Sequence, residues 1–310
     1  MRRLLVLVVV LLLSSLCVGA ETLSICSFNV QFLGHFKDRD NATLASMLSV
    51  YDVVVIQELV APPYAMSFPD GTNVRPDDEA QAFFDEMICR GFVYWLSEED
   101  TGPGAENHKN TTGTEWWVVF YDPDRVTRAT DLAWGFLAED RSANPDYERV
   151  PYAFAFRTAD ESADFVLISV HLDPDSSRRR AAELNSIATW IDRNDETEKD
   201  FIVLGDMNIQ SCSELESAVP AAFVSLNDDC RPTNTASTAK PYDHVLYRPE
   251  YCGEIEDDLV IVDLVAAMQP YWTSDQPYPG VPYDHNAFRI FYSDHRPIVF
   301  TLTIGVEDDD

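Results

Sequence analysis

The chain has 310 residues, of which 53 are acidic and 22 are Lys or Arg, giving a formal net charge of −31 at pH 7. This balance argues against a general binder of polyanions, because such proteins usually present a basic face. The length allows one large core or two modest ones. Since no repeat or Ser/Pro-rich linker divides the chain, we expect one domain.

The first twenty residues have the pattern of a secretory signal peptide. Arg2 and Arg3 precede an apolar run, and Val18-Gly19-Ala20 supplies small residues for cleavage before Glu21. The apolar run is too short to span a bilayer stably. We therefore expect residues 1–20 to be a signal peptide and residues 21–310 to form a single exported domain. The protein would be secreted or periplasmic, monomeric and without a membrane anchor.

Cysteine usage agrees with export, which permits disulfides. Of the six cysteines, Cys17 lies in the predicted signal peptide, and the odd remainder leaves at least one thiol without an intrachain partner. Cys212 and Cys230 are the first pair that we expect, because both lie near the loops after one predicted strand. Cys26 lies in an apolar run and is expected to be a buried strand residue.

Short apolar runs rich in β-branched and aromatic residues predict strands along the whole chain. These runs are Leu23–Val30, Tyr51–Gln57, Trp116–Tyr121, Tyr152–Phe156, Phe165–Val170, Phe201–Leu204, His244–Tyr247, Leu259–Val265 and Ile298–Ile304. Helical patterns occur at Leu44–Val50, Asp78–Cys89 and Arg178–Ile191. Because strands and helices are mixed without strict alternation, we expect an α/β fold with packed sheets and helices outside.

Polar residues with metal-binding or proton-transfer chemistry stand at the ends of many of these strands. In chain order they are Asn29, Glu58, His171, Asp206 with Asn208, Asp243, and Asp294 with His295. The period of a strand predicts that Asp206 and Asn208 share one face. Each residue alone has an ordinary explanation as a turn former, a solvated acid or a structural histidine. Their recurrence at strand ends indicates one shared site.

The residue types at these strand ends suit phosphoester chemistry. Oxygen atoms of Glu58, Asn29 and Asp294 suit a hard cation such as Mg²⁺, which also binds substrate phosphate. An imidazole oriented by a carboxylate can accept a proton from water or donate one to a leaving oxygen. The chain has no Cys/His zinc pattern, no G-x-S-x-G elbow and no Gly-rich phosphate loop.

The ordered set of motifs resembles the endonuclease/exonuclease/phosphatase superfamily. It consists of Asn29, Gln57-Glu58, Glu115, His171, Asp206-Met207-Asn208, Asp243 and Ser293-Asp294-His295. The resemblance implies a four-layer α/β sandwich of two packed, mostly antiparallel β-sheets flanked by helices, with the site at one end. The segments TEWWVVFYDP, which contains Glu115, and Arg149-Val150-Pro151 resemble the deoxyribonuclease I branch.

The resemblance also implies a role for each residue. His171 would pair with Glu115 and His295 with Asp243, one pair activating water and the other protonating the leaving oxygen. Glu58, Asn29 and Asp294 would hold Mg²⁺ or Mn²⁺, with a structural Ca²⁺ as a further candidate. Asp206 and Asn208 would position metal, water or phosphate, and Arg149 would bind the phosphate and offset its charge.

Two positions depart from the branch in a way that concerns the substrate. Val60 stands where the branch has an arginine that reaches into the DNA minor groove, and Gly113 stands where it has a tyrosine. We expect a secreted, Mg²⁺-dependent, sequence-nonspecific endodeoxyribonuclease that takes DNA as substrate. The alternatives are a phosphatase or a sphingomyelinase- or phospholipase C-like enzyme of the same superfamily and, in another class, a non-catalytic acidic Ca²⁺-binding protein.

Overall fold

A computed structural model describes residues 21–108, 111–256 and 258–304 of the chain. The predicted signal peptide lies outside the described residues. Among the helices in the described part, none combines the length and the apolar character needed to cross a membrane.

Two β-sheets contain all the strands of the described residues. The first has the strand order β12-β13-β1-β2-β4-β3 and comprises β1 (Glu21–Leu33), β2 (Val53–Leu59), β3 (Val93–Leu96), β4 (Trp116–Tyr121), β12 (Val260–Ile261) and β13 (Ile298–Ile304). The second has the order β10-β11-β9-β8-β7-β5, with β6 paired to β7. It comprises β5 (Val126–Arg128), β6 (Gly135–Phe136), β7 (Tyr152–Thr158), β8 (Asp164–His171), β9 (Phe201–Asp206), β10 (Val224–Ser225) and β11 (Asp243–Tyr247).

The helices cover the outer faces of the two sheets. They are α1 (Asn41–Leu48), α2 (Asp78–Cys89), α3 (Ser177–Ile191), α4 (Cys212–Ala218), α5 (Leu264–Met268) and α6 (His285–Phe291), with a short 3-10 helix at Gln269–Tyr271. Asp77 and Ser176 cap the first turns of α2 and α3 by accepting backbone N–H bonds, as helix N-caps do.

Strand alternation divides the apolar side chains into three buried clusters. Ile25 and Val53 of the first sheet pack between the sheets with Phe154 and Leu167 of the second. The opposite face of the first sheet packs with α1, α2, α5 and α6, and that of the second packs with α3 and α4. The resulting order of layers is helix, sheet, sheet, helix, which confirms the four-layer α/β sandwich.

Each sheet has one parallel pair at its centre, and the other pairs are antiparallel. In the first sheet β1 runs parallel to β2, so that Asn29 stands opposite Gln57. In the second sheet β8 runs parallel to β9, so that His171 stands opposite Asp206. Within each sheet the parallel pair brings two carboxyl ends to one edge. The two edges meet, since Asn29 of the first sheet donates to Asp206 of the second over 2.9 Å.

The predicted strand Leu259–Val265 is wrong in its second half. The strand β12 spans only Val260–Ile261, and α5 begins at Leu264. Asp263 starts the helix, because its side chain accepts the N–H of Ala266, and Leu264 is buried in the cluster beneath the helices. A short apolar run does not by its period distinguish a strand from a buried helical turn.

The expected disulfide is present between Cys212 and Cys230. It joins the first residue of α4 to the segment before β11. Cys26 is a buried residue of β1, as its apolar surroundings in the sequence predict.

Candidate active site

Asn29 links the two sheets at the edge where their parallel strands end. Its Nδ2 donates to Glu58 Oε1 over 2.8 Å and to Asp206 Oδ2 over 2.9 Å. Its Oδ1 accepts the N–H of Gln31 over 2.9 Å. Asn29 therefore faces both carboxylates with its nitrogen, and its oxygen is turned toward the backbone.

The backbone around Asn29 is held in a conformation that L-residues rarely adopt. Gln31, Phe32 and Glu58 have positive φ angles of 52°, 53° and 62°, and the register of β1 against β2 shifts between Asn29 and Leu33. This irregularity aims the N–H of Phe32 at Glu58 Oε2 over 3.0 Å. Such strained residues persist where the surroundings hold them firmly, as at many functional sites.

Gly205 allows β9 to approach β8 directly below the site. Its φ is 138°, and an added Cβ would lie 2.2 Å from the carbonyl oxygen of Val170. Only glycine fits this backbone without moving it. The close approach sets His171 opposite Asp206 at the ends of the two strands.

His171 and Glu115 form the first histidine–carboxylate pair. His171 Nδ1 lies 2.7 Å from Glu115 Oε1, and Arg149 Nε lies 2.7 Å from the same oxygen. Burial raises the pKa of Glu115, but the charges of His171 and Arg149 outweigh it and hold that pKa below its ordinary value. Burial and Arg149 lower the pKa of His171, whereas Glu115 and Asp206 raise it above its ordinary value.

His295 and Asp243 form the second pair. His295 Nδ1 lies 2.9 Å from Asp243 Oδ2. Ser293 fixes the histidine, because its Oγ accepts the N–H of His295 and donates to the carbonyl oxygen of Asn29. Burial lowers the pKa of His295, but Asp243 and Asp206 raise it well above its ordinary value.

Asp206 stands between the two pairs. Its Oδ2 lies 3.6 Å from His171 Nε2 and 3.4 Å from His295 Nε2. Burial raises the pKa of Asp206, and the two histidines lower it to a net value below the ordinary one. Both Nε2 atoms therefore face one ionised oxygen in a shared space at the end of the sandwich.

The residues that would hold a cation fit a hard metal ion. Glu58 is buried, and burial, together with the carboxylates Glu115 and Asp294, raises its pKa to about 7 against the opposing charge of His171. Asp294 Oδ1 is buried and has no hydrogen-bond partner among the described residues, while its Oδ2 accepts from Gln31 Nε2. A divalent ion would neutralise this carboxylate pair and satisfy that oxygen.

Two groups of three side chains bring their ligand atoms close enough to share an ion. In Glu58, His171 and Asp206 these atoms lie within 4.8 Å of one another, and the same holds for Asp206, Asp243 and His295. Within the described residues no other His, Cys, Asp or Glu group meets this distance. The structural Ca²⁺ therefore stays a prediction.

The prediction that Asp206 and Asn208 share one face of a strand is wrong, because Asn208 lies beyond the end of the strand. The strand β9 ends at Asp206, and Asn208 has a positive φ of 52°. Its N–H donates to Asp206 Oδ1 over 2.9 Å, and its Nδ2 donates to the carbonyl oxygen of Leu172 over 3.0 Å. Asn208 thus orients Asp206 and ties it to the residue after His171.

Thr233 and Glu183 support the site and were not found from the sequence, whereas Ser293 belongs to the Ser293-Asp294-His295 motif. Ser293 holds His295, and Thr233 Oγ1 accepts the N–H of Asp243 over 2.9 Å. No sequence signal marked Thr233. Glu183 had a signal, because it stands four residues before Ile187 and so falls on the apolar stripe of the predicted helix.

The two departures from the deoxyribonuclease I branch lie beside the site. Val60, two residues after Glu58, is only 3% exposed. Gly113 lies against Pro103, whose ring would be 3.2 Å from an added Cβ. Neither position presents a side chain that reaches outward to a substrate.

Comparison with known proteins gives matches over most of the chain. The sequence model of the "Endonuclease/Exonuclease/phosphatase family" matches residues 26–295. A search of curated proteins found no match. The fold is similar to that of an endonuclease/exonuclease/phosphatase family protein from Bacteroides thetaiotaomicron, with a TM-score of 0.57 and 15% identity over 93% of this chain and 100% of the other.

Other solved structures with this fold have different stated activities. TDP2 from D. rerio, solved with a single-strand DNA product, has a TM-score of 0.54 and 16% identity over 90% of this chain and 98% of the other. A mannosyl-6-phosphatase from Bacteroides thetaiotaomicron has a TM-score of 0.55 and 15% identity over the same shares. At these identities the likeness extends to the fold and leaves the substrate open.

Proposed function

The chain belongs to the endonuclease/exonuclease/phosphatase family, and from this premise we propose that it is a secreted, Mg²⁺-dependent endodeoxyribonuclease of low sequence specificity. Metal-dependent phosphoester hydrolysis is the chemistry of the family. The cleavage of DNA, the identity of the ion and the export of the protein are parts of the proposal.

One observation carries the proposal. Two histidines, each backed by a carboxylate through Nδ1, direct Nε2 toward the same oxygen of Asp206, at 3.6 Å and 3.4 Å. Phosphodiester hydrolysis needs a base for the attacking water and an acid for the leaving oxygen. A phosphate between the two Nε2 atoms would meet one such group on each side.

The residues around this space divide the reaction among them. One histidine accepts the proton of the attacking water as the new P–O bond forms. The other donates its proton to the sugar oxygen as the old P–O bond breaks. Arg149, whose Nη1 is buried without a hydrogen-bond partner among the described residues, has a free donor for a nonbridging phosphate oxygen. Mg²⁺ bound by Glu58 and Asp294 would withdraw charge from the phosphate.

Hydrolysis of a small phosphoester is the second candidate. It is favoured by Val60 and Gly113, which remove two DNA contacts of the deoxyribonuclease I branch and keep both histidine–carboxylate pairs. It would make the protein a phosphatase or a phospholipase C-like enzyme. A non-catalytic Ca²⁺-binding role is disfavoured by the same two pairs, which such a role does not need.

A substrate panel distinguishes these functions. Plasmid DNA, single-stranded DNA, p-nitrophenyl phosphate and sphingomyelin are incubated with the purified protein and Mg²⁺, with EDTA as control. We expect DNA cleavage that EDTA abolishes. Release of phosphate or phosphocholine with intact DNA selects the second candidate, and inactivity on every substrate contradicts both.

Export is tested separately. We propose that residues 1–20 direct secretion, on the basis of the basic, apolar and small-residue order in the sequence. Mass spectrometry of protein recovered outside the producing cells should give an N-terminus at Glu21. Intact protein retained inside the cells contradicts the proposal.

A further inference from the structure

Glu183 is a buried carboxylate that takes no direct part in the proposed chemistry. It is 0% exposed and lies on α3 in the buried stripe with Leu184 and Ile187. Its Oε1 accepts the N–H of Glu148 over 2.6 Å, and its Oε2 accepts the N–H of Asp173 over 2.9 Å. One carboxylate thus holds the residue before Arg149 and the second residue after His171.

The segment with Arg149 is held on its other side by the neighbourhood of Glu115. The N–H of Val150 donates to Thr101 Oγ1 over 3.2 Å, and its carbonyl accepts from Trp117 Nε1 over 2.9 Å. Thr101 in turn forms backbone hydrogen bonds in both directions with Glu115. Fixed points on both sides of Arg149 therefore set its place relative to Glu115.

The segment after His171 is held in the same way. The N–H of Leu172 donates to the carbonyl oxygen of Asp206 over 3.0 Å. Arg180, one helical turn before Glu183, donates through Nη1 to the carbonyl oxygen of Asp173 over 2.9 Å. Glu183 connects this segment to the segment with Arg149 through two backbone N–H groups, whereas the half-exposed Arg179 reaches only the side chains of Glu148 and Asp173, at 3.6 Å and 3.4 Å.

Burying a carboxylate to hold these two segments costs free energy. Burial raises the pKa of Glu183 to about 7, against the lowering effect of the two backbone N–H groups. An apolar side chain would continue the buried stripe of α3 without that penalty. The position therefore calls for an acceptor with two oxygens, one for each segment.

We infer that Glu183 is a positioning residue that aims Arg149 at the scissile phosphate by joining the segments of Arg149 and His171. This inference rests on the proposed function. Arg149 Nε is held by Glu115 Oε1 at 2.7 Å, whereas its Nη1 has no hydrogen-bond partner among the described residues, so the direction of Nη1 depends on the position of the Arg149 backbone.

The test is a double-mutant cycle between Glu183 and Arg149. Glu183→Ala, Arg149→Ala and the double variant are compared by kcat and KM on bis(p-nitrophenyl) phosphate with Mg²⁺. Glu183→Ala should lower kcat/KM by about 10- to 100-fold, the effect of a misplaced catalytic group. In the Arg149→Ala background it should lower kcat/KM by less than about twofold, because the group that it positions is gone.

Two further variants separate positioning from general destabilisation. Asp52→Ala removes another carboxylate that accepts a backbone N–H, that of Ser24 at 2.7 Å, at the opposite end of β1 and β2. It should destabilise the protein and leave kcat/KM unchanged. Glu183→Gln, which keeps one acceptor oxygen, should have an activity between wild type and Glu183→Ala, and it replaces the alanine variant if that fails to fold.

Binding of inorganic phosphate in the presence of Mg²⁺, measured by calorimetry, gives a readout without turnover. Glu183→Ala should weaken phosphate binding as much as Arg149→Ala does. Multiplicative losses in the double variant, or wild-type kcat/KM in folded Glu183→Ala, would overturn the inference and leave the proposed function standing. A wild-type protein that neither hydrolyses nor binds phosphate overturns both.

Discussion

His295 and Asp243 are a buried pair joined by a hydrogen bond of 2.9 Å between Nδ1 and Oδ2, across 52 residues of sequence. Because the carboxylate accepts at Nδ1, Nε2 remains for the exchange of protons with the substrate. Asp243→Asn should keep the shape of the pair and lose its charge. We predict that it lowers kcat on a phosphodiester by about 10³-fold or more, as in other oriented histidine–carboxylate pairs.

His35 provides the control for this prediction, since it is an exposed histidine outside both pairs. His35→Ala should retain kcat within about twofold, as a surface substitution does. Near-normal kcat in Asp243→Asn would show that the pair is structural. Circular dichroism of each variant confirms that the fold is kept.

Metal binding should depend on pH through Glu58. Burial, with Glu115 and Asp294, raises the pKa of this carboxyl to about 7, so protons compete with the cation below that pH. We predict that the affinity for Mg²⁺ is about tenfold higher at pH 8 than at pH 6, because the ligand must be deprotonated. Titration calorimetry at both pH values measures it. Equal Mg²⁺ affinities at pH 6 and pH 8 would contradict the prediction. The variant Glu58→Gln should bind Mg²⁺ weakly at both pH values.

Acid should destabilise the protein through His244. This ring is buried, Nε2 lies 2.7 Å from the carbonyl oxygen of Pro241, and burial lowers its pKa to about 4 from 6.5. The folded-state pKa is the lower one, so the unfolded chain binds the proton first. The contribution of His244 is complete above pH 6.5 and is lost as the pH falls toward 4.

The size of this effect can be measured against a variant that has no ionisable group at position 244. Between pH 7 and pH 5 the wild type should lose about 2 kcal/mol of unfolding free energy relative to His244→Gln. Urea unfolding at the two pH values gives the difference. A constant difference between wild type and variant would show that His244 titrates normally in the folded state.

The activity on long DNA should increase as the salt concentration is raised from a low value. The formal net charge of −31 repels the polyanion, and the repulsion is screened by added ions. We predict a rise in the rate from low to moderate salt at saturating Mg²⁺, and little change for bis(p-nitrophenyl) phosphate. A rate on DNA that falls steadily from the lowest salt would indicate a basic binding surface instead.

The polar strand ends were predictable from the sequence because sheet geometry is simple. Glu58 and Asp206 each follow an apolar run, and the recurrence of such residues at strand ends is enough to assign both to one site, although their strands belong to different sheets. The pairing of distant residues such as Asp243 and His295 came from the resemblance to a family. Periodicity alone gives no partner across 52 residues.

Other features depend on tertiary contacts that a local pattern does not contain. Asn208 leaves the strand period because its backbone has a positive φ, and Asp206 accepts its N–H. The run Leu259–Val265 divides into a strand and a helix because Asp263 caps the helix. Glu183 connects two segments 25 residues apart, from Glu148 to Asp173, that only the folded chain brings together.

Cleavage of plasmid DNA by wild type and His171→Ala tests the central claim most directly. We predict that the wild type nicks and then linearises the plasmid with Mg²⁺ and not with EDTA. Folded His171→Ala should be slower by about 10³-fold or more, because it lacks one of the two proton-transfer groups. A wild type that leaves both plasmid and single-stranded DNA intact with Mg²⁺, Mn²⁺ and Ca²⁺ would contradict the account.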